Sequence, residues 1–166
     1  MIPLITIAKA QQFKQVSNSI NIAKFNETVL QAQMTELYPL LGEKLYFDLM
    51  SNIGNYTELL TGNTYTYQGI TYTNVGLEAV IAHYWYAYHS FYGDQIDTAF
   101  GLREKLNNDV SKQVDTSMKK IMFELNCRYA YNLWLNVERY LVRTKNPLYI
   151  CNTIQKNRNF RLSKIG

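Results

Sequence analysis

The chain has little proline, cysteine or histidine, and no long apolar run. Three prolines in 166 residues leave long stretches in which a helix meets no residue that must break it. Two cysteines, Cys127 and Cys151, build neither a disulfide framework nor a CxxC site, and the base rate for cysteine makes both reduced and buried. The only histidines, His83 and His89, are six positions apart. That sets them about 120° apart on a helix, so they cannot share a metal. No apolar run approaches the ~20 residues of a membrane span. The opening, MIPLITIAKAQQ, lacks the basic n-region and small-residue cleavage site of a signal peptide, so the expectation is a protein that stays in the cell that makes it. HExxH, P-loop, GxGxxG and Gly-x-Ser-x-Gly patterns are also missing. Asp94 and Asp97 lie near His89 at no specific metal spacing. Without a convergent nucleophile, base and orienting group, the expectation is a protein that is not an enzyme and has no metal or cofactor.

What is present is apolar surface. Hydrophobic residues are 47% and charged residues 18%, a globular composition. A chain of this length buries roughly two thirds of its unfolded surface in one domain. The net charge of +4 is polarised. Residues 1–100 hold four basic and eight acidic side chains, and residues 101–166 hold thirteen basic and five acidic. From Arg139 onward no acid occurs. The basic end, carrying Arg143, Lys145, Lys156, Arg158, Arg161 and Lys164, suits an acidic protein surface or nucleic acid.

The pattern predicts a mainly α fold: a helical bundle with one long C-terminal helix, an inserted β-hairpin at about 64–73 and an extended C-terminal tail. Residues 1–146 form the helical domain and 147–166 the basic extension. Thr6 is placed to cap a first helix to about Val16, and Asn21 to cap a second carrying Ile22, Phe25, Val29, Ala32 and Leu37. Pro39 should end or kink that second helix. LLGEKLYFDLM reads as a third, and YTELLTG as a turn or single helical turn. Asn74 can cap a helix to about Tyr92, with Leu77, Val80, Ile81, Tyr84, Trp85, Tyr88 and Phe91 on one stripe and Tyr86 facing outward beside Ala79 and Ala82. The segment GDQIDTAFGLREKLNNDVSKQ shows no period and reads as a long connection. Asp115 should cap the last helix, which runs to about Lys145 before Pro147.

Between the helices stands TYTYQGITYT, residues 64–73. A Gln68–Gly69 turn pairs Tyr67 with Ile70, Thr66 with Thr71 and Tyr65 with Tyr72. Period-2 alternation then gathers Tyr65, Tyr67, Ile70 and Tyr72 on one face. A lone hairpin is marginal in water, so that face must pack on the rest of the chain or on a neighbouring molecule. The last helix carries two apolar stripes. One holds Met118, Ile121, Met122, Leu125, Tyr129 and Leu133; the other holds Phe123, Cys127, Ala130, Trp134 and Leu141. One stripe docks a helix, and a second implies central burial or a partner. The interface candidates are Tyr65, Tyr67, Ile70, Tyr72, Tyr86, Phe123 and Trp134. Half of the fourteen tyrosines fall between Tyr65 and Tyr92, a residue type enriched at interfaces.

The stretches FNETVLQAQMTELYPLLGEKLYFDLM, YTELLTGNTYTYQGITYTNVGLEAVIAHYWYAYHSFY and TAFGLREK together resemble the head–tail connector (adaptor) proteins of tailed bacteriophages, in the form carried by crAss-like phages of gut Bacteroidales. The resemblance covers about residues 20–145. It implies a structural virion protein in the phage neck, made in the host bacterial cytoplasm. It implies a dodecameric ring below the portal that continues the DNA channel and docks neck or tail proteins. The implied partners are further copies of the chain, the portal protein, neck or tail proteins and the genomic DNA passing through, with no membrane. On this resemblance the 64–73 hairpin and the 93–113 segment are contact elements, and no catalytic residue is carried over. The other reading of the residues is a small nucleic-acid-binding module that uses the basic C-terminal end.

Overall fold

The computed structural model describes residues 1–17, 19–92, 95–98, 101–104 and 115–150, with backbone alone for 95–98 and 101–104. It is mainly helical, with a long C-terminal helix and an antiparallel hairpin. The first helix, α1 (Ile7–Phe13), is capped by Thr6, whose side chain accepts from the Lys9 amide. The second, α2 (Ile22–Ala32), is capped by Asn21, which accepts from the Lys24 amide at 3.1 Å. Both caps lie where a short polar side chain precedes an apolar period.

Pro39 does not end the helix. A π turn over Gln33–Leu37 follows α2, with the Tyr38 amide donating to the Gln33 carbonyl. Pro39 then falls in the first turn of α3 (Tyr38–Leu41), where a missing N–H has no partner to lose. Gly42 separates α3 from α4 (Glu43–Ser51). A 3-10 turn, Ile53–Tyr56, leads into α5 (Thr57–Thr61).

The first hairpin has the register the alternation predicts. Strands β1 (Asn63–Tyr67) and β2 (Ile70–Asn74) pair Tyr65 with Tyr72 and Tyr67 with Ile70. Gln68 and Gly69 both take positive φ, 50° and 77°, the primed turn that matches strand twist. The feet of the hairpin touch backbone to backbone. A Cβ on Gly76 would stand 2.5 Å from the Gly62 nitrogen and the Leu60 oxygen, and one on Gly62 would stand 2.5 Å from the Asn74 oxygen. Asn74 does not cap the next helix. It ends β2, and its side chain locks the junction, accepting from the Gly76 amide and donating to the Glu58 carbonyl.

The centre of the molecule is α6 (Leu77–Tyr92). It packs on α1, α2 and α5 and most extensively on α7 (Thr116–Arg143). Trp85 meets the Phe25 ring of α2 and donates to Thr28 Oγ1 at 3.0 Å. His83, two residues earlier and so about 200° round the helix, stacks on Tyr129 of α7. Helices α2 and α7 therefore pack on different faces of α6. This double packing buries Ala79, Ala82 and Ala87 together with the predicted apolar stripe from Leu77 to Tyr88, Phe91 being partly exposed. Tyr86 consequently does not stand free beside two exposed alanines.

Within the aperiodic 93–113 stretch the chain forms a second antiparallel hairpin, β3 (Gln95–Thr98) with β4 (Gly101–Glu104). The expected long connection is thus partly strand. At its far end α7 closes in a Schellman arrangement. The Asn146 amide donates to the Leu141 carbonyl and Lys145 to that of Val142, with Lys145 at φ 53°. A non-glycine residue is disfavoured there. Lys145→Gly is expected to stabilise the fold by about 0.5–1 kcal/mol, measured by urea denaturation.

Candidate interaction surfaces

Helix α7 spans about 42 Å at 1.5 Å per residue and carries three kinds of face. Its core face holds Ala130, Trp134, Val137 and Leu141, all buried, with Phe123 and Cys127 partly buried against the same cluster. Trp134 is 2% exposed. The Phe123 ring meets Tyr88 and Phe91 of α6 edge-on. These two interface candidates therefore belong to the interior of the chain. Burial drives the Cys127 thiol up to about 12, assisted by the Glu36 and Glu124 carboxylates, so it stays protonated and unreactive. Cys151 lies outside the described residues.

The second face docks the hairpin. Asn136, Tyr140 and Arg143 recur at i, i+4 and i+7, which puts them on one stripe. Asn136 accepts from the Val75 amide at 2.9 Å and donates to the Thr73 carbonyl at 3.0 Å. Tyr140 meets the Tyr65 ring edge-on and donates to Glu58 at 3.3 Å. The Arg143 guanidinium lies 3.9 Å from the Tyr72 ring centre and 5.2 Å from that of Tyr67, and donates to the Tyr65 hydroxyl at 3.2 Å. A cation over stacked aromatic faces is held by the ring quadrupoles. Of the two packings open to the hairpin, its tyrosine face thus packs on its own chain. Tyr65, Tyr67 and Tyr72 are half-buried there, and Ile70 at the tip is exposed. Arg143→Ala is expected to raise amide exchange in β1 and β2 roughly tenfold with helical circular dichroism unchanged. Arg143→Lys should recover little of this, because an ammonium lacks the planar stack.

The third face is largely exposed. Met118, Ile121, Leu125 and Tyr129 are 51, 50, 54 and 55% exposed. They continue the hairpin-docking stripe toward the N-terminal end of α7; Tyr129 is partly covered, by the stacked His83 ring and the Lys14 ammonium. The interface candidates Phe123 and Trp134 thus pack within the chain, while Met118, Ile121, Leu125 and Tyr129 of the other predicted stripe are exposed and its Leu133 is partly buried against the core.

Tyr86 is half-buried. The Lys14 ammonium, just past the end of α1, sits over its ring at 5.1 Å and over that of Tyr129 at 5.8 Å, and donates to Asn126 Oδ1 at 2.7 Å. Burial lowers the Lys14 pKa. Nearby, His83 is held neutral by burial despite donating from Nδ1 to the Ala79 carbonyl, with Lys14 adding to the effect. His89, under Trp85, is lowered by burial and then by Lys24. Both folded pKa values lie below the ordinary value near 6.5. The unfolded chain therefore takes up protons first, and stability present above pH 6.5 is lost as pH falls through the folded values. A thermal-melting series from pH 8 to 5 should show this loss, and His83→Gln with His89→Gln should flatten it.

Gln33 was not singled out by the sequence. It is fully buried in the π turn and binds the chain's first residues, accepting from the Leu4 amide at 2.7 Å and donating to the Ile2 carbonyl at 3.2 Å. Asn136 and Lys14 are similar cases. A single polar residue carries no period, so only the tertiary structure identifies its partner. Of the predicted basic end, Lys145 is exposed and Arg143 is taken up by the hairpin; Lys156, Arg158, Arg161 and Lys164 lie outside the described residues. Among those described, no three His, Cys, Asp or Glu side chains gather in a way that could hold a metal ion. No described helix is long and apolar enough to cross a membrane.

These features define a mainly helical protein with a docked tyrosine hairpin and one long helix that is apolar on two sides. The chain belongs to a family of unknown function, DUF6712, which its residues 37–159 match. No curated protein and no solved structure matches it.

Proposed function

We propose that this protein is a structural subunit of a bacteriophage neck, a head–tail connector that assembles as a ring below the portal and continues the DNA channel. The observation that carries the reading is the exposed stripe of Met118, Ile121 and Leu125, bounded by half-exposed Tyr129, on a helix whose other side already serves the core. Contiguous exposed apolar surface of this kind marks a protein interaction site. The sequence resemblance over residues 20–145 supplies the kind of partner: further copies, the portal, and neck or tail proteins. A channel that lets DNA slide must not bind it tightly, since each neutralised phosphate raises affinity. We therefore favour protein contacts for most of the basic C-terminal end, with DNA contact secondary.

Native mass spectrometry of the chain, alone and with portal protein, tests this. A ring or a portal-bound assembly is expected. A monomer that ignores portal and binds duplex DNA with a steep salt dependence would replace the connector by a nucleic-acid-binding module.

A further inference from the structure

A second apolar patch is built from elements other than α7. Phe47 of α4 is 50% exposed. Its ring meets Tyr38 and Tyr46 edge-on, and the Tyr46 hydroxyl reaches the sulfurs of Met1 and Met34. Met34 and Met1 are themselves exposed. Exposed Glu43 and Lys44 stand four and three residues before Phe47, and so on the same side of α4. Exposed Glu27 stands seven before Met34. This patch is built from the N-terminal residues, the π turn, α3 and α4, and not from α7.

The two patches differ in charge. The span 22–51 holds two basic and four acidic residues, whereas α7 holds five basic and two acidic. Exposed residues of α7 include Lys120, Arg128 and Arg139 against one acid, Glu124; Arg128 and Glu124 border the apolar stripe. Two α7 faces brought together would set like charges against each other, and so would two α2–α4 faces. Each face complements the other kind in both apolar character and charge.

We infer that the α7 stripe of one copy docks on the Met34–Phe47 face of a second copy. The contact is heterologous: each molecule offers one face and receives on the other, which generates closed rings or open filaments and not twofold dimers. This deepens the connector reading, on which it rests, by naming the two surfaces that meet.

Disulfide trapping tests it. Leu125→Cys and Phe47→Cys are made separately, each with Cys151→Ser; Cys127 remains, its thiol protonated. Leu125 and Phe47 are half-exposed, so neither change empties the core. Mixed and gently oxidised at high concentration, the two variants should give a mixed disulfide that dominates both homodimers. Dominant linkage between two Leu125→Cys chains would show twofold packing and overturn the inference, as would no linkage at all. Independently, Arg128→Glu with Arg139→Glu should weaken self-association about tenfold or more at low salt; an unchanged constant would count against it. A mixed disulfide without portal binding would remove the neck assignment and leave this interface. A portal-bound ring with twofold linkage would do the reverse.

Discussion

Trp134→Ala should cost about 3–5 kcal/mol of folding stability, the range for emptying a buried tryptophan site. The side chain is 2% exposed, sits among Ala130, Val137 and Leu141 in the core cluster, and meets the Tyr149 ring edge-on. Its removal takes away transfer free energy and leaves a cavity that the rigid α6–α7 contact cannot collapse around. For a chain of this size the melting temperature should fall by roughly 10 °C or more. The drop should be the same at every protein concentration, because the contact lies within one molecule. A tryptophan that anchored a partner would behave otherwise: the monomer would keep its melting temperature and self-association would be lost. Ile121→Ser provides the converse case, with little change in monomer stability and weakened assembly.

The second large effect comes from a methyl group. Gly76→Ala is expected to cost about 2–4 kcal/mol, combining a left-handed backbone that alanine disfavours with a collision between main chains. Gly76 has φ 80°, and its Cβ would meet the Gly62 nitrogen, the Leu60 oxygen and, at 2.7 Å, the Thr61 carbonyl carbon. None of these atoms is the flexible end of a side chain, so α5 and the start of α6 must part. Urea denaturation gives the loss, and faster amide exchange at Asn63 and Asn74 would locate it. Gly69→Ala is the control. It has a similar φ of 77° with nothing within 4 Å of its Cβ, so only the conformational part remains, about 1–2 kcal/mol.

Features fixed by neighbouring residues could be read directly. Thr6 and Asn21 cap because the amides they satisfy lie three residues on, and the hairpin register follows from a two-residue turn with alternation on both sides. Features fixed by what packs opposite could not. The two stripes of α7 are similar in composition, and α6 decides which is buried by presenting Tyr88 and Phe91 to Phe123. Helix α6 has a clear stripe, yet it is buried nearly all round because its alanines accept helices on different faces. Pro39 signals a break, but the preceding π turn shifts the hydrogen-bond ladder and the helical path continues. The second hairpin has strands of only four residues, too short for alternation to stand out. Asn136, Gln33 and Arg143 find partners 29 to 78 residues away, a distance no local pattern spans.

The hairpin is fastened to the C-terminal half of α7 at Asn136, Tyr140 and Arg143, while the exposed stripe occupies the N-terminal half of the same uninterrupted helix. The helix therefore acts as a spar with a load point near each end. Whatever grips Ile121 sets the bearing of the Gln68–Gly69 tip, with no hinge in between. In a closed circle of copies, the angle at which neighbours meet would fix where every tip points, so the whole set of tips would turn together.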